Sequence, residues 1–268
     1  MNRRTFLSVT GGTLAYAAAA HGNAIGQDAA RAREYYELRR YHLRRGPEQQ
    51  LTDDYLKNAA LPAWQRAGAG PIGVFNVSIG PESPTLYVLI VHKTADGYDT
   101  LPDRLDGDKE YQAAGSAYLN ATAASPAFVR TESSLMRAFS AWPSLQRPFG
   151  GVFEGPARSR IFELRTYESH SERAARKKIE MFESAEIAIF RRAGLQPVFF
   201  GETLVGSQLP NLTYMLVYEN MAAHDKQWSA FSSDPEWKKL STTPGYTDPE
   251  IVSNITNVYL RPATYSQI

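Results

Sequence analysis

Two short segments of the sequence carry the same charged and aromatic residues at alternate positions. The first is YELRRY, at Tyr36–Tyr41, and the second is FELRTY, at Phe162–Tyr167. Alternate residues of a β-strand share one face, so each segment presents a carboxylate, a guanidinium and a phenol side by side. Such an arginine can bind an anion or stabilise a developing oxyanion, and the tyrosine can transfer protons. The same groups can also form structural ion pairs. The candidates are Glu37, Arg39, Tyr41, Glu163, Arg165 and Tyr167.

Two histidines end predicted strands in the first copy of this pattern. His42 aligns with Glu168 in the second copy, and His92 aligns with Glu219. A histidine beside a carboxylate can act as a general base or as a metal ligand, so His42 and His92 could make one asymmetric site. The alternative is that both are solvent-facing residues at the rim of a sheet.

Two tyrosines, Tyr87 and Tyr214, open the third predicted strand of each copy. They either line an aromatic ligand cavity or pack in the core with a hydrogen-bonded hydroxyl. We include His42, Tyr87 and Tyr214 among the ligand-binding candidates. His170 and His224 precede predicted helices and are expected to be surface groups.

The sequence contains none of the HExxH, GxSxG or P-loop motifs. The stretch Gly68–Gly73 matches GxGxxG, but it follows a helix and enters a strand, which is the reverse of what pyrophosphate binding needs. With zero cysteines, thiol nucleophiles and thiolate metal sites are excluded. We therefore predict no metal and no cofactor, and we leave open whether the protein is an enzyme.

The repeated segments indicate a tandem duplication. Their offset is 126 residues, and the same offset relates Arg66–Gly68 to Arg192–Gly194. Tyr87–Ile90 matches Tyr214–Val217 when one residue is inserted. The first copy then has roughly 18 extra residues, including the polar segment Asp99–Asp108, which is either a lid or, as we favour, a decorative surface loop.

Each copy has the same predicted order of elements, β-α-β-β-α-β, which is the ferredoxin-like split unit. The fold class is therefore α+β, with two tandem ferredoxin-like units. Pro62 lies well inside the first helical pattern and predicts a kink or break there. We place the first unit at residues 33–141, a linker rich in proline and glycine at 142–158, and the second unit at 159–268.

The two units are expected to close on each other. The helices of a ferredoxin-like unit cover one face of its sheet, so the other face must be buried against something. We predict that the two free faces meet as an eight-stranded barrel, a dimeric-α/β-barrel-type pseudo-dimer within one chain. Tyr36 and Leu38 are expected to face the helices, which places Glu37, Arg39 and Tyr41 inside the barrel.

The N-terminus has the pattern of an export signal. Arg3 and Arg4 precede Phe6, and a mildly apolar run continues to Ala20. This order is typical of a twin-arginine signal peptide, which we place at residues 1–24. The protein is therefore expected to be periplasmic or secreted.

Charge and hydropathy exclude two classes of partner. The net charge is +1, and basic residues are scattered among acidic ones, so no nucleic-acid-binding surface is predicted. No run of about 20 apolar residues predicts a membrane span. A small organic ligand, a protein partner and a homo-oligomer all stay open.

The ELR-x-Y strand and the helix ending in Arg-Ala-Gly resemble the start of a NIPSNAP domain. So do GPIGVF at Gly70–Phe75, PVFFGE at Pro197–Glu202, the tyrosine-led third strand, and Phe231-x-x-Asp234-Pro235-x-Trp237. The resemblance covers nearly the whole chain after the export signal. It implies a dimeric α/β-barrel fold, related to cofactor-independent monooxygenases of antibiotic biosynthesis and to haem-binding barrel enzymes. It implies no fixed catalytic residues.

Two functional interpretations follow from these observations. The first is an exported protein that binds a small, partly apolar ligand or a protein partner without turnover, because the sequence has no catalytic motif. The alternative is a cofactor-independent oxygenase, isomerase or lyase that acts on an organic molecule in the barrel cavity.

Overall fold

The structure is a computed structural model that describes residues 32–80, 82–149 and 160–268. The predicted export signal and residues 150–158 of the predicted linker lie outside the described residues. The strands of the first repeat are β1 (Tyr35–His42), β2 (Ile72–Ile79), β3 (Thr85–His92) and β4 (Arg130–Ala138). Those of the second repeat are β5 (Ile161–Glu168), β6 (Pro197–Val205), β7 (Asn211–Tyr218) and β8 (Asn254–Pro262).

Helices cover the outside of both repeats. In the first repeat they are α1 (Pro47–Tyr55), the π-helical turn π1 (Leu56–Ala60), α2 (Leu61–Arg66), α3 (Ala95–Asp99), α4 (Leu101–Asp106), α5 (Lys109–Ala114) and α6 (Ser116–Leu119). In the second they are α7 (Glu172–Met181), the turn π2 (Phe182–Glu186), α8 (Ile187–Arg192), α9 (Met221–Ser233), α10 (Pro235–Ser241) and α11 (Asp248–Ile251). The helix is interrupted near Pro62, as predicted, by the π1 turn, which ends two residues before that proline. The π2 turn forms at the corresponding position of the second repeat, where there is no proline.

The eight strands close into one barrel in the order β1-β3-β2-β8-β5-β7-β6-β4, with every neighbouring pair antiparallel. Two of these pairs, β2–β8 and β4–β6, join the first repeat to the second. Each repeat therefore supplies half of the barrel, and the predicted closure within one chain is confirmed.

The barrel interior is apolar, and it is built from the residues that we expected under the helices. Tyr36 and Leu38 pack there with Phe162, Leu164 and aromatic residues of both repeats. The opposite face of β1 packs against the helices, where Tyr41 joins Trp64. The predicted orientation was wrong, because alternation shows which residues share a face but does not show which face is inside. Glu37, Arg39, Tyr41 and their counterparts Glu163, Arg165 and Tyr167 thus lie between sheet and helices.

The strand register corrects the predicted alignment of the third strands. Tyr35 lies opposite His92 in β1–β3, and Ile161 lies opposite Tyr218 in β5–β7. The offset of 126 therefore continues without an inserted residue, and His92 corresponds to Tyr218 rather than to Glu219. By the same register Tyr87 corresponds to Thr213, so Tyr87 and Tyr214 lie on opposite faces of their strands.

The predicted insertion of roughly 18 residues in the first repeat is also wrong. Asp108 accepts a hydrogen bond from Arg66, as Asp234 does from Arg192, and each aspartate caps a short helix. The offset is 126 for both residues of this motif. Asp99–Asp108 is mostly helical, spanning the end of α3, all of α4 and the N-cap of α5. The last strands are offset by 124, since Tyr36 faces Met136 and Phe162 faces Leu260, so the first repeat has two extra residues.

Candidate functional site

The nine candidates from the sequence lie in three places. Glu37, Arg39 and Tyr41 belong to a polar cluster under the helices of the first repeat, which we call outer cluster 1. Outer cluster 2, in the second repeat, contains Glu163, Arg165, Tyr167 and Tyr214. His42 and Tyr87 lie at the barrel mouth, the end of the barrel where β1 finishes and β3 begins. His42 and His92 are at opposite ends of these two strands, so the proposed single site containing both is wrong.

The carboxylate of Glu37 is the centre of outer cluster 1, and it is only 3% exposed. Arg39 Nε donates to Oε1 at 2.5 Å, and Ser133 Oγ donates to the same oxygen at 3.1 Å. His92 Nε2 lies 3.3 Å from Oε2. Burial acts to raise the pKa of Glu37, but the contacts from His92 and Arg39 outweigh it and lower the pKa to about 2. Glu37 is thus held as an anion.

Outer cluster 2 is centred on the corresponding carboxylate, that of Glu163, with a different set of donors. Glu163 is completely buried, and its Oε1 accepts a hydrogen bond from Arg165 Nη1 at 2.7 Å. Its Oε2 accepts from Tyr218 Oη at 2.9 Å and from Trp228 Nε1 at 3.1 Å. Arg165 Nη2 also donates to Tyr167 Oη at 3.2 Å. These bonds tie β5 to β7 and α9, and Glu163 and Arg165 form an ion pair with each other.

A histidine and a tyrosine exchange places between the two outer clusters. His92 on β3 corresponds to Tyr218 on β7, and Tyr98 on α3 corresponds to His224 on α9, at the same offset of 126. Each pair is in ring contact, with centroids 5.6 Å apart in the first repeat and 4.9 Å in the second. The histidine is therefore buried on the strand in one repeat and lies on the helix in the other.

His224 was expected to be a simple surface group, and the structure corrects this. Its side chain is 13% exposed, and Nε2 lies 3.2 Å from Tyr259 Oη and 3.6 Å from Glu163 Oε2. One signal for this position was available: the constant offset of 126 pairs His224 with Tyr98, another aromatic residue.

A buried ion pair under α7 was missed. Lys178, 1% exposed, lies 3.2 Å from Glu186 Oε2, which is equally buried. The ammonium group also lies near the rings of Tyr167, Phe182 and Trp237, at 5.2, 4.9 and 5.9 Å. A lysine on the otherwise apolar face of α7 was the available signal. The first repeat has Thr52 and Ala60 at the corresponding positions.

The charged side of the barrel mouth comes from the first repeat. His42 is buried, with Nδ1 in contact with the Glu82 carboxylate and Nε2 2.9 Å from Glu132 Oε1, at an angle unsuited to a hydrogen bond. Arg40 pairs with Glu132, and Arg130 lies 3.2 Å from both carboxylates. His42 is thus a rim residue held by charges.

A cavity of about 60 Å³ opens at this mouth. Its floor is apolar, and its walls carry hydroxyl and amide groups. Among the described residues that line it, Arg40 is the one that carries a charge. The lining residues are Leu38, Met136, Leu164 and Val258 at the floor, and Arg40, Tyr87, Ser134, Thr166, Thr203, Ser207, Gln208, Asn211, Thr213 and Thr256 around it.

The two halves of this lining differ in chemistry. By strand register Arg40 corresponds to Thr166 and Tyr87 to Thr213, while Glu132 corresponds to Thr256. Thr166 and Thr213 are hydrogen-bonded to each other through their hydroxyls at 2.9 Å. The mouth therefore offers a cation and a phenol on one side and neutral hydroxyls on the other.

Within residues 32–80, 82–149 and 160–268, no group of three or more histidine, cysteine, aspartate or glutamate side chains is arranged to hold a metal ion. No helix in those same ranges is long and apolar enough to cross a membrane.

Comparisons with known proteins agree with this architecture. A "putative monooxygenase" from Lactobacillus acidophilus aligns over 88% of this chain and 98% of its own, with a TM-score of 0.53 and 11% identity. Another from Fusobacterium nucleatum aligns over 87% and 93%, with a TM-score of 0.55 and 8% identity. At these identities the likeness shows the fold alone. A search of curated proteins gave no match.

A shorter solved structure aligns with less than half of this chain. An uncharacterised NIPSNAP-like domain protein from Burkholderia xenovorans is 22% identical, with a TM-score of 0.37, and covers 41% of this chain and 90% of its own. The NIPSNAP family model matches residues 36–142 and again residues 162–267. The chain therefore belongs to the NIPSNAP family and contains two tandem copies of its domain.

Proposed function

We propose that this protein binds a short aliphatic carboxylate, or the carboxylate end of a longer and partly apolar molecule, at the barrel mouth and does not turn it over. The observation that carries the proposal is the cavity described above, with an apolar floor, a hydroxyl-rich wall and Arg40 as its charged residue. A pocket with a few convergent polar groups on an apolar base is the usual form of a small-molecule site.

The size of the cavity limits the ligand. A cavity of about 150 Å³ holds benzene, so about 60 Å³ accommodates only a few heavy atoms. The alkyl part of acetate, propionate or butyrate fits this space if its carboxylate remains at the open mouth. A larger ligand would leave most of its length outside the barrel.

The polar groups at the mouth suit a carboxylate. Arg40 offers charge-assisted hydrogen bonds, and its guanidinium is already positioned by Glu132. Burial raises the pKa of Tyr87, with Arg40 acting in the opposite direction, so the phenol stays protonated and can donate a second hydrogen bond. Thr213 extends the donor set across the cavity.

The alternative, a cofactor-independent oxygenase, isomerase or lyase acting inside the barrel, needs more room. Below the cavity the interior is occupied by Tyr36, Phe75, Phe162 and Phe199. An aromatic or polyketide-like substrate would have to displace these side chains. The geometry therefore favours binding, and it does so without involving a protein partner or a second copy of the chain.

Calorimetric titration with propionate tests this proposal. With about −4 kcal/mol available to a ligand of this size, the expected Kd is on the order of 1 mM. Arg40→Gln removes a charge-assisted bond worth about 1.5–3 kcal/mol, so we expect at least about tenfold weaker binding. Arg104→Gln, on α4, is the matched control and should bind like the wild type. Equal affinity for propionate and uncharged propionamide, or no effect of Arg40→Gln, would overturn the proposal.

We also propose that the protein is exported by the twin-arginine route, which rests on the order of residues at the N-terminus. Replacing Arg3 and Arg4 together by lysine should keep the protein in the cytoplasm. Cell fractionation of the two forms tests this, and equal amounts outside the cytoplasm would contradict it.

A further inference from the structure

We propose that the second repeat binds a zwitterionic amino acid with an apolar side chain, such as leucine, in a cavity between α7 and the loop that joins β6 to β7. This cavity, which we call loop cavity 2, has a volume of about 310 Å³. Thr203 and Asn211 line both this cavity and the barrel mouth, but the charged residues of the two sites are different. The inference therefore does not depend on carboxylate binding at the mouth.

A cavity lies at the corresponding place in the first repeat. Loop cavity 1 has a volume of about 140 Å³ and is formed by α1 and the loop between β2 and β3. Pro84 lines it and Pro210 lines loop cavity 2, at the offset of 126. Asn76 and Glu202 are related in the same way, and strand register places them opposite equivalent leucines of β3 and β7. The cavity is thus a feature of the repeated fold, and the two copies differ in their lining.

Loop cavity 2 contains charged groups of both signs. Glu172 and Arg176 are four residues apart on α7, so they are neighbours on one face of the helix. Within the described residues, neither side chain forms an ion pair or a side-chain hydrogen bond. Glu202 Oε2 accepts a hydrogen bond from Arg137 Nη2 at 2.9 Å, and its Oε1 has no partner in the part of the chain that the structure describes. The cavity therefore offers a guanidinium to a carboxylate and carboxylate oxygens to an ammonium group.

Apolar side chains form another part of the lining. Leu204 and Leu209 line loop cavity 2, and they are 38% and 49% exposed. The first repeat has Ser78 and Ser83 at the corresponding positions, so the fold itself does not require leucine there. Exposed apolar side chains grouped beside a cavity are typical of a ligand-binding surface. A ligand with an apolar side chain would cover them.

The first repeat lacks the charged groups as well. Gly46 stands in place of Glu172, Gln50 in place of Arg176, and Asn76 in place of Glu202. No described residue that lines loop cavity 1 carries a charge. The charges and the leucines therefore occur together in the second repeat, which indicates a ligand that has both a zwitterionic and an apolar part.

An apolar α-amino acid matches this combination of groups. Its carboxylate can accept hydrogen bonds from Arg176, and its ammonium group can donate to Glu172 or Glu202. Its side chain can then contact Leu204 and Leu209. The volume of loop cavity 2 is at the lower end of the range of small-molecule sites, about 300–1,000 Å³, which suits a single amino acid.

Calorimetric titration of the full chain with leucine tests the inference, and we expect a Kd on the order of 1 mM. Arg176→Gln should weaken binding at least about tenfold, because it removes a charge-assisted hydrogen bond. Leucinamide, which lacks the carboxylate, should bind the wild-type protein with a similar loss. Arg173→Gln, on α7 but outside the cavity lining, is the matched control and should bind leucine like the wild type.

A second variant tests the apolar part of the lining. Leu209→Ser reproduces the chemistry of Ser83 in the first repeat, so it is expected to fold. It should lower the preference for leucine over alanine by about threefold, because less apolar surface is covered. Melting curves confirm that each variant is folded before affinities are compared.

The outcomes also separate this site from the barrel mouth. The inference is wrong if leucine shows no saturable binding, if leucinamide binds as tightly as leucine, or if Arg176→Gln has no effect. A loss of leucine binding in Arg40→Gln in place of Arg176→Gln would locate leucine at the barrel mouth, and this too would overturn the inference. Binding at the mouth is judged separately, by the titration with propionate.

Discussion

The buried ion pair between Lys178 and Glu186 provides a quantitative test, because the first repeat shows what can replace it. Its corresponding residues are Thr52 and Ala60, so Lys178→Thr and Glu186→Ala convert the second repeat to the chemistry of the first. Removing one partner of a buried pair leaves an uncompensated charge and typically costs about 3–5 kcal/mol. Removing both leaves no charge, so the double variant should cost no more than the worse single variant.

The two single variants should differ in magnitude and in pH dependence. Without Glu186, the ammonium group of Lys178 still makes cation–π contacts with the rings of Tyr167, Phe182 and Trp237. These contacts offset part of the loss of stability. Without Lys178, Glu186 has lost its cation. Burial already raises the pKa of Glu186, against the influence of Lys178. A carboxyl whose pKa is higher in the folded state loses stability as pH rises through that range, so Lys178→Thr should be more destabilising at pH 8 than at pH 5.

Urea unfolding followed by tryptophan fluorescence gives the free energies for a double-mutant cycle. We expect a coupling energy of about 3 kcal/mol between the two residues. Additive single effects, or a Lys178→Thr variant with the same loss at both pH values, would refute this account of the pair.

Two further predictions concern the folded core. The pKa of Glu37 is lowered from 4.5 to about 2, so its contribution of about 3 kcal/mol is present above pH 4.5 and is lost as pH falls towards 2. Glu37→Gln should flatten this part of the curve of unfolding free energy against pH, and an unchanged slope would contradict the assignment. A Cβ at Gly201 on β6 would lie 2.9 Å from Met136 Cβ on the neighbouring strand β4. Gly201→Ala should therefore cost about 1–3 kcal/mol in urea unfolding, whereas Gly107→Ala, which meets nothing closer than 3.8 Å, should not show this loss.

The sequence was sufficient for the architecture but not for the orientation of the sheet. Alternation in β1 and β5 showed that Glu37, Arg39 and Tyr41 share a face. It could not show which face, because both sides of a barrel strand are buried: Tyr36 and Glu37 are neighbours, and each is shielded from water. Apolar content did not separate the faces either, since the helix-covered face is as aromatic as the barrel interior.

Local identity also misled the alignment of the repeats. Matching Tyr87 with Tyr214 required an inserted residue, whereas strand register pairs Tyr87 with Thr213. Strand register is a matter of backbone hydrogen bonding and not of residue type. A single tyrosine shared by two strands is therefore weak evidence that the two positions correspond. The constant offset of 126 was the better guide, and it would have linked Asp108 with Asp234 and Tyr98 with His224.

The strand pairs β2–β8 and β4–β6, which join the two repeats, have a consequence for how the protein could diversify. In a symmetric dimer of single repeats, one substitution alters both halves of the barrel and both outer clusters together. Joining the repeats in one chain removes that restriction. The residues of each half can then change independently, while the strand pairs β2–β8 and β4–β6 still hold the two halves together. The first repeat has Arg40 where the second has Thr166, and Tyr98 where the second has His224, and a symmetric dimer could not encode these differences.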